Sequence, residues 1–173
     1  MTRPSRMREM IRRLGQTSAA PIHLRKLLLS PEQEFFAFAA LPEHQGVAAE
    51  VYQRLGQAAV NIRLISQYQA KDGVLRVRLS VDGCSGAAAR GVFHAATVRE
   101  RLSAFEHVEQ ARILSLYPFN GRPEVLERAF LELRRRRIQI LATSSATSVL
   151  SCVLIEAQVE DALQHLQQVV ILE

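Results

Sequence analysis

The sequence lacks the features that disulfide scaffolds, metal sites and membrane spans require. Its two cysteines, Cys84 and Cys152, are far apart and follow no metal-ligand spacing, and its five histidines are scattered. This usage predicts two reduced, mostly buried thiols in a cytoplasmic protein that holds no metal or other cofactor. No apolar run reaches the roughly 18 residues of a spanning helix. The N-terminal arginines are not followed by the apolar block of a secretory signal, so neither export nor membrane association is expected.

Positive charge is concentrated at one end of the chain. The 173 residues carry 22 basic and 17 acidic side chains, and residues 1–20 hold five arginines against one glutamate. Between Met7 and Leu14 the apolar residues recur at helical spacing, which predicts a short basic helix and linker that pack on the body or on a partner subunit. Because the body is nearly neutral, we do not expect nucleic-acid binding. The alternative is that this arm and Arg134–Arg137 together form a nucleic-acid interface.

The chain contains one internal repeat. Val47 aligns with Val125, Leu55 with Leu133 and Ser66 with Ser144, without a gap. Each copy has the pattern of a strand, a helix and two further strands. Two copies indicate a duplicated domain rather than a solenoid, because solenoids need more repeats to bury their core.

The periodicity of apolar residues predicts the element order of both copies. The predicted strands cover 22–29, 35–41, 60–67, 74–81, 111–117, 138–146, 149–155 and 169–172, with a short strand near 106–110. The predicted helices cover 46–59, part of 88–105, 122–137 and 157–168. This order predicts an α+β fold of two ferredoxin-like βαββαβ units with antiparallel sheets, preceded by the short helical arm. The expected domains are the basic helix and linker at 1–20, a first unit with its lead-in strand at 21–110, and a second unit at 111–173.

Both copies resemble the regulatory ACT domains of aspartokinases. Gly46–Tyr52 followed by Val60–Gln67 resembles the first ACT domain of that family. Ile138–Ser145, with Ser151–Val153 and Glu160–Leu163, resembles the second. The glycine-rich, phosphate-binding loop of a kinase does not occur in the sequence. The resemblance therefore implies a tandem ACT protein that is not an enzyme.

The resemblance also implies a small-molecule site, usually for an amino acid, between a strand–helix loop and a strand of a neighbouring ACT unit. A helix N-terminus offers unpaired N–H groups to a carboxylate, and a glycine there lets the ligand approach the backbone. In the first copy the matching positions are Glu43, Gly46, Val47, Ala48, Asn61, Ile62, Arg63 and Gln67. In the second copy they are Asn120, Val125, Gln139, Ile140, Ser144 and Ser145.

Six positions depart from the family pattern, namely Glu43, Gln45, Arg63, Glu124, Gln139 and Ala146, and three of them bear most on ligand binding. Arg63 stands where lysine- or threonine-sensing domains have an aspartate, and a cation there repels an ammonium group and attracts a carboxylate or phosphate. Gln45 replaces a proline, which we expect to loosen the first loop. Glu124 replaces a glycine, and its charge competes with a ligand carboxylate at the start of the helix. The first copy is therefore the better candidate for a working site.

These observations predict a regulatory module of the ACT type. We expect it to form a homodimer through its ACT units and to bind an amino acid or a small anion as an effector. One alternative is a regulatory subunit that docks on a separate catalytic chain of an aspartokinase-type enzyme. Another is an ACT scaffold that binds no ligand and serves only dimerisation.

Overall fold

A computed structural model of the chain describes residues 22–172, so the helix predicted within 1–20 lies outside the described residues. The strands are β1 Ile22–Leu24, β2 Lys26–Leu29, β3 Gln33–Ala40, β4 Ile62–Gln69, β5 Leu75–Asp82, β6 Ala104–Tyr117, β7 Ile140–Ser145, β8 Leu150–Ile155 and β9 Val170–Leu172. The α-helices are α1 Gly46–Gln57, α2 Gly86–His94, α3 Ala96–Arg99, α4 Pro123–Arg135 and α5 Val159–Val169. An extended residue, Ala95, divides the single helix predicted within 88–105 into α2 and α3.

One long strand, β6, joins the two repeats in a single sheet. The strand order is β4-β5-β3-β6-β8-β7, and all neighbours are antiparallel. Residues 104–111 of β6 pair with β3, and residues 111–116 pair with β8. The sequence suggested two separate strands here. No glycine or proline interrupts residues 104–117, so nothing ends the strand at the expected domain boundary between 110 and 111.

The lead-in strand belongs to the second unit, not to the first unit as the sequence suggested. β2 pairs with the end of β6, where Leu28 faces Ser115, and β1 pairs in parallel with β9. Ile22 and Leu24 are buried in the core of the second unit. The reason is topological: β2 takes the place beside β6 that the last strand of a βαββαβ unit would otherwise fill. The β1–β9 pair is an exception to the antiparallel pairing that the sequence predicts.

Each unit buries its helices against one face of the sheet. In α1, Val47, Val51 and Leu55 recur at helical spacing and pack against β3 and β5. In α4, Pro123 occupies the first helical turn, where a missing N–H has no cost, and Val125 faces inward. The helices therefore cover one side of each unit and leave the other side of the sheet to a third core.

The third core lies between the two units. Successive residues of a strand point to opposite faces, so Phe35 faces away from the helices that cover Phe36. Phe35 meets Leu64 from β4 and Leu141 from β7 in one buried cluster. Because β4 and β7 are the two ends of the strand order, the sheet must curve to bring them together. This curvature packs the two units against each other.

A buried carboxylate connects three elements of the first unit. Glu34 of β3 is 6% exposed; its Oε1 accepts a 2.5 Å hydrogen bond from Arg90 of α2, and its Oε2 lies 2.7 Å from Nε2 of His107 in β6. The His107 ring stacks on Phe36. A Cβ on Gly86 would lie 1.6 Å from Oε1, so only glycine at the first position of α2 leaves room for the carboxylate. Burial of Glu34 is tolerated because both of its oxygens have partners.

We expect Gly86→Ala to destabilise the protein by about 1–3 kcal/mol, because the added methyl group displaces Glu34 from Arg90 and His107. Gly91→Ala is the matched control on the same helix, since a Cβ there meets nothing within 4 Å. It should be neutral or stabilising by up to about 1 kcal/mol. Urea unfolding measures both values. Equal unfolding midpoints for the two variants would contradict the role given to Gly86.

The two cysteines differ in environment. Cys152 is buried in the core of the second unit, and burial raises the pKa of its thiol to about 12. Cys84 is exposed, in the short 3-10 turn Gly83–Ser85 that precedes α2. The expectation of two mostly buried thiols is therefore wrong for Cys84, because this turn lies outside the core. Both thiols are free.

Thiol titration should separate the two cysteines. At neutral pH one thiol per native chain should react quickly with a disulfide reagent, and the second should react only after denaturation. Cys84→Ser should remove the fast reaction, whereas Cys152→Ser should retain it. Raising the pH to about 9 should not expose the slow thiol, because its pKa in the folded state is about 12. Two equally fast thiols in the native chain would disprove the assignment.

Candidate functional site

The strand–helix loop of the first unit is held in place by the β4–β5 hairpin. Residues Pro42–His44, with Glu43 exposed, form a 3-10 turn between β3 and α1. The Nε2 of Gln45 donates a 2.9 Å hydrogen bond to the carbonyl of Gly73 in the hairpin turn. Gly73 has a φ of +80°, and a Cβ there would press on the ring of Pro42 at 3.0 Å. The loop that we expected Gln45 to loosen is therefore tied to the sheet by Gln45 itself.

The start of α1 is open to solvent. Gly46 is the first residue of the helix, and a Cβ added there would meet nothing within 4 Å. No side chain caps this N-terminus. Val47 and Ala48 are buried. The N–H of Ala48 donates a 3.2 Å hydrogen bond to the carbonyl of Gln45, whereas among the described residues no hydrogen bond engages the N–H groups of Gly46 and Val47. These two N–H groups are of the kind that binds a carboxylate at a helix start.

A groove runs from the start of α1 to the end of β4. It has a volume of about 450 Å³, and its lining includes Gln45, Ala48, Tyr52 and Gln67. The Tyr52 hydroxyl and the Gln67 side-chain oxygen are 2.5 Å apart, so Tyr52 holds the amide against the helix. Gln67 was among the residues predicted from the sequence, but Tyr52 was not. The repeat does contain a signal for it, because Tyr52 aligns with Phe130 and only the tyrosine has a hydroxyl group.

The other residues of the first predicted site lie at the opposite end of β4. Ile62 pairs with Val81, whereas Gln67 pairs with Val77 and Gln69 with Leu75. At roughly 3.3 Å per residue, Ile62 and Gln67 are about 17 Å apart along the strand. Asn61 and Arg63 flank Ile62 and share its end of the sheet. The structure therefore brings Ala48 and Gln67 together in the groove, places Gly46 next to it at the start of α1, and leaves Asn61, Ile62 and Arg63 apart from them.

Arg63 is paired with a carboxylate that sequence analysis did not identify. A register shift between Ile62 and Leu64 turns Arg63 toward the end of β5, where its Nε donates a 2.7 Å hydrogen bond to Oδ1 of Asp82. This hydrogen bond lowers the pKa of Asp82 and raises the pKa of Arg63. The charge of Arg63 is thus partly balanced within its own unit.

The second predicted site is divided in the same way. Ser144 and Ser145 lie at the end of β7 that is near the loop carrying Asn120. The N–H of Phe119 in that loop donates a 2.7 Å hydrogen bond to the carbonyl of Ser148, in the turn between β7 and β8. Asn120 has a positive φ of 52°.

Gln139 and Ile140 occupy the far end of β7, where the N–H of Gln139 donates to the side chain of Gln158 at 2.9 Å. Val125 of α4 is fully buried, so its side chain serves the core. Arg122 donates hydrogen bonds to three backbone carbonyls, those of Phe119, Pro118 and His23. The second loop is thus closed by protein groups, whereas the first remains open beside Gly46.

Two other kinds of site find no support in the described part of the chain. Among residues 22–172, no group of three or more histidine, cysteine or acidic side chains is placed to hold a metal ion. No helix within the same residues is long and apolar enough to cross a membrane.

Comparison with known proteins identifies the fold. No protein-family model and no curated protein matches the sequence. The regulatory subunit of aspartate kinase from Thermus thermophilus is 16% identical, with a TM-score of 0.74 over 86% of this chain and 99% of that chain. Aspartate kinase from Synechocystis is 20% identical, with a TM-score of 0.70 over 87% of this chain and 27% of that chain. Aspartokinase III from E. coli, in complex with lysine and aspartate, is 16% identical, with a TM-score of 0.58 over 86% of this chain and 33% of that chain.

These likenesses confirm the α+β fold and its two ferredoxin-like units. The matched part of the Synechocystis and E. coli enzymes is only about a third of each chain or less. In the Thermus protein the match spans nearly the whole regulatory subunit. The chain has the fold of the tandem ACT regulatory domains of aspartate kinases.

Proposed function

We propose that the chain is a non-catalytic regulatory module of the ACT type, which binds a small amino-acid-like ligand and dimerises through its ACT units. The likeness to the regulatory subunit of an aspartate kinase supports a regulatory role. The lack of a glycine-rich phosphate-binding loop in the sequence argues against phosphoryl transfer. The start of α1 offers the N–H groups of Gly46 and Val47 to a ligand carboxylate, and the adjoining groove offers the Gln67 amide to an ammonium group.

The observation that carries this proposal is the division of the first site along β4. Ile62 lies about 17 Å from Gln67 along the strand, so a small ligand beside Gln67 cannot reach Asn61, Ile62 and Arg63 of the same copy. A second copy can supply them if the start of its β4 lies beside the α1 N-terminus of the first copy. Two-fold symmetry then completes the site twice. A ligand that contacts both copies stabilises the pair, so ligand binding and dimerisation are coupled.

β4 is suited to such pairing. It ends the strand order of the sheet, so one of its edges is not hydrogen-bonded to another strand among the described residues. Ile65 and Tyr68 on this strand are 43% and 47% exposed. Exposed apolar side chains on an edge strand are typical of a surface that another chain covers.

A second candidate function is that of a regulatory subunit that docks on a separate catalytic chain. The match to the Thermus thermophilus regulatory subunit favours it, because that subunit is covered over 99% of its length. In this case the module carries the ligand response, and the partner carries the aspartokinase-type chemistry. Both functions use the groove. They differ in whether the purified chain responds to the ligand in the absence of a catalytic partner.

A thermal-shift screen of the proteinogenic amino acids and small anionic metabolites tests the groove. A ligand at about 100 times its Kd stabilises the native state by about 2.7 kcal/mol, which raises Tm by several degrees. Gly46→Leu should abolish the shift, because the new side chain fills the space at the start of α1. Gly56→Leu is the matched control on the same helix, since a Cβ there also meets nothing within 4 Å. It should keep the response.

Sedimentation of the purified chain tests the coupling. The ligand found in the screen should shift the chain toward the dimer, and it should not do so with Gly46→Leu. A dimer that responds to no compound would favour the ligand-free scaffold. A chain that stays monomeric and unresponsive alone but responds when mixed with a catalytic subunit would favour the docking subunit. A shift that Gly46→Leu leaves unchanged would show that the ligand binds elsewhere.

A further inference from the structure

A cleft opens between the two units, on the face of the sheet opposite the helices. Its volume is about 350 Å³, within the range of small-molecule sites. On one side, Leu28, Ser115 and Ser151 are register partners across β2, β6 and β8, so their side chains form a row on one face. On the other side, Arg63 reaches in from β4 of the first unit. The cleft therefore exists only because the two units pack together.

This cleft is separate from the groove beside α1. Arg63 is the single lining residue that the family resemblance also selects, and it lies at the end of β4 away from Gln67. The other walls come from the lead-in strand and from β6 and β8, which contribute nothing to the groove. The cleft shares Arg63 with the site proposed above, in which Arg63 of a second copy would approach the groove, whereas Leu28, Ser115 and Ser151 belong to the cleft alone.

Arg63 gives the cleft its charge. It is the one ionisable side chain among the residues that line the cleft, and its side chain is 55% exposed. Its Nε is engaged by Asp82, and within the described residues no hydrogen bond engages its terminal nitrogens. Asp82 is not among the lining residues. A guanidinium group that presents two N–H donors in one plane is well matched to a carboxylate.

Gln33 brings an unsatisfied polar atom to the same cleft. Its side chain lines the cleft and is almost fully buried, at 1% exposure. The Nε2 faces the carbonyls of Pro31 and Glu32 and the carboxylate of Asp82, which sets the orientation of the amide. The Oε1 is buried and has no donor within the described residues. Buried polar atoms are rarely left without a partner, so a donor supplied by a ligand would stabilise this one.

The hydroxyl groups of Ser115 and Ser151 add a hydrogen-bonding pair to the lining of the cleft. Their oxygens are 2.8 Å apart, so one hydroxyl donates to the other. The hydroxyl that accepts keeps its own proton for a further acceptor. Leu28 and Ile113 supply an apolar wall beside them. The lining thus combines a cation, an acceptor, a donor and aliphatic surface, with no carboxylate to pair with an ammonium group.

We propose that the cleft binds a small aliphatic hydroxy acid. The carboxylate pairs with Arg63, the hydroxyl donates toward Gln33 after a small shift of its amide, and the carbon chain lies against Leu28 and Ile113. An α-amino acid of the same carbon skeleton binds less well, because its ammonium group meets Arg63 without an opposing carboxylate in the cleft.

Calorimetric titration of the full chain with 2-hydroxy-3-methylbutanoate tests this assignment. Two matched probes share its carbon skeleton: valine has an ammonium group in place of the hydroxyl, and 3-methylbutane-1,2-diol has no carboxylate. Both should bind at least about 10-fold more weakly than the hydroxy acid. Absence of binding by the hydroxy acid, or equal binding by the diol, would overturn the proposal.

Variants locate the binding site. Arg63→Gln should weaken binding of the hydroxy acid at least about 10-fold, whereas Arg76→Gln, on an exposed arginine of β5 outside the cleft, should not. Leu28→Glu gives a second test at a 48% exposed position that tolerates a polar side chain, and its negative charge should also abolish binding. Unfolding midpoints confirm that each variant folds. Affinities unchanged in both Arg63→Gln and Leu28→Glu would place the ligand elsewhere.

Gly46→Leu separates this proposal from the preceding one. It covers the N–H groups at the start of α1 and lies outside the cleft, so it should leave the affinity of the cleft for the hydroxy acid unchanged. If Gly46→Leu abolishes binding of the hydroxy acid and Leu28→Glu does not, the ligand occupies the groove, and the cleft proposal fails while the groove proposal stands.

Discussion

The structure depends on one uninterrupted strand. β6 supplies the last strand of the first unit and the first strand of the second, so the backbone hydrogen bonds of both units meet on a single segment. Neither unit can shift its register without moving the other, because a one-residue slip would turn every side chain of β6 to the opposite face. The third core, with Phe35, Leu64 and Leu141, is formed only when both halves of β6 are paired.

The separation of the candidate-site residues has the same geometric cause in both copies. In each unit the helix begins at one end of the sheet and the strand after it begins at the other end. Residues that the resemblance groups into one site, such as Gly46 and Arg63, are therefore distributed to both ends. The copies then differ in their loops: Arg122 closes the second, whereas Gly46 leaves the first accessible.

Much of the fold could be predicted from local sequence patterns, and the exceptions are non-local. The alternation in β5 and the spacing of Val47, Val51 and Leu55 in α1 are set by residues a few positions apart, and the structure confirms both elements. The pairing partner of the lead-in strand could not be predicted from local patterns, because it lies some 90 residues further along the chain, at Ser115. Asp82 was missed as the partner of Arg63 because their contact depends on the register shift in β4.

The pairing of β1 with β9 has a consequence for the order in which the chain is made. Residues 22–29 emerge before both units during synthesis but find their partners only when residues 114–117 and 170–172 have followed. The first unit, whose strands are complete once the start of β6 is available, lies between them as an insertion. Its sheet can form while Ile22 and Leu24 still lack their core, so the second unit closes last and over the longest span of chain. Closure over such a span is slow relative to local contacts, and the early strand stays available for mispairing until it occurs.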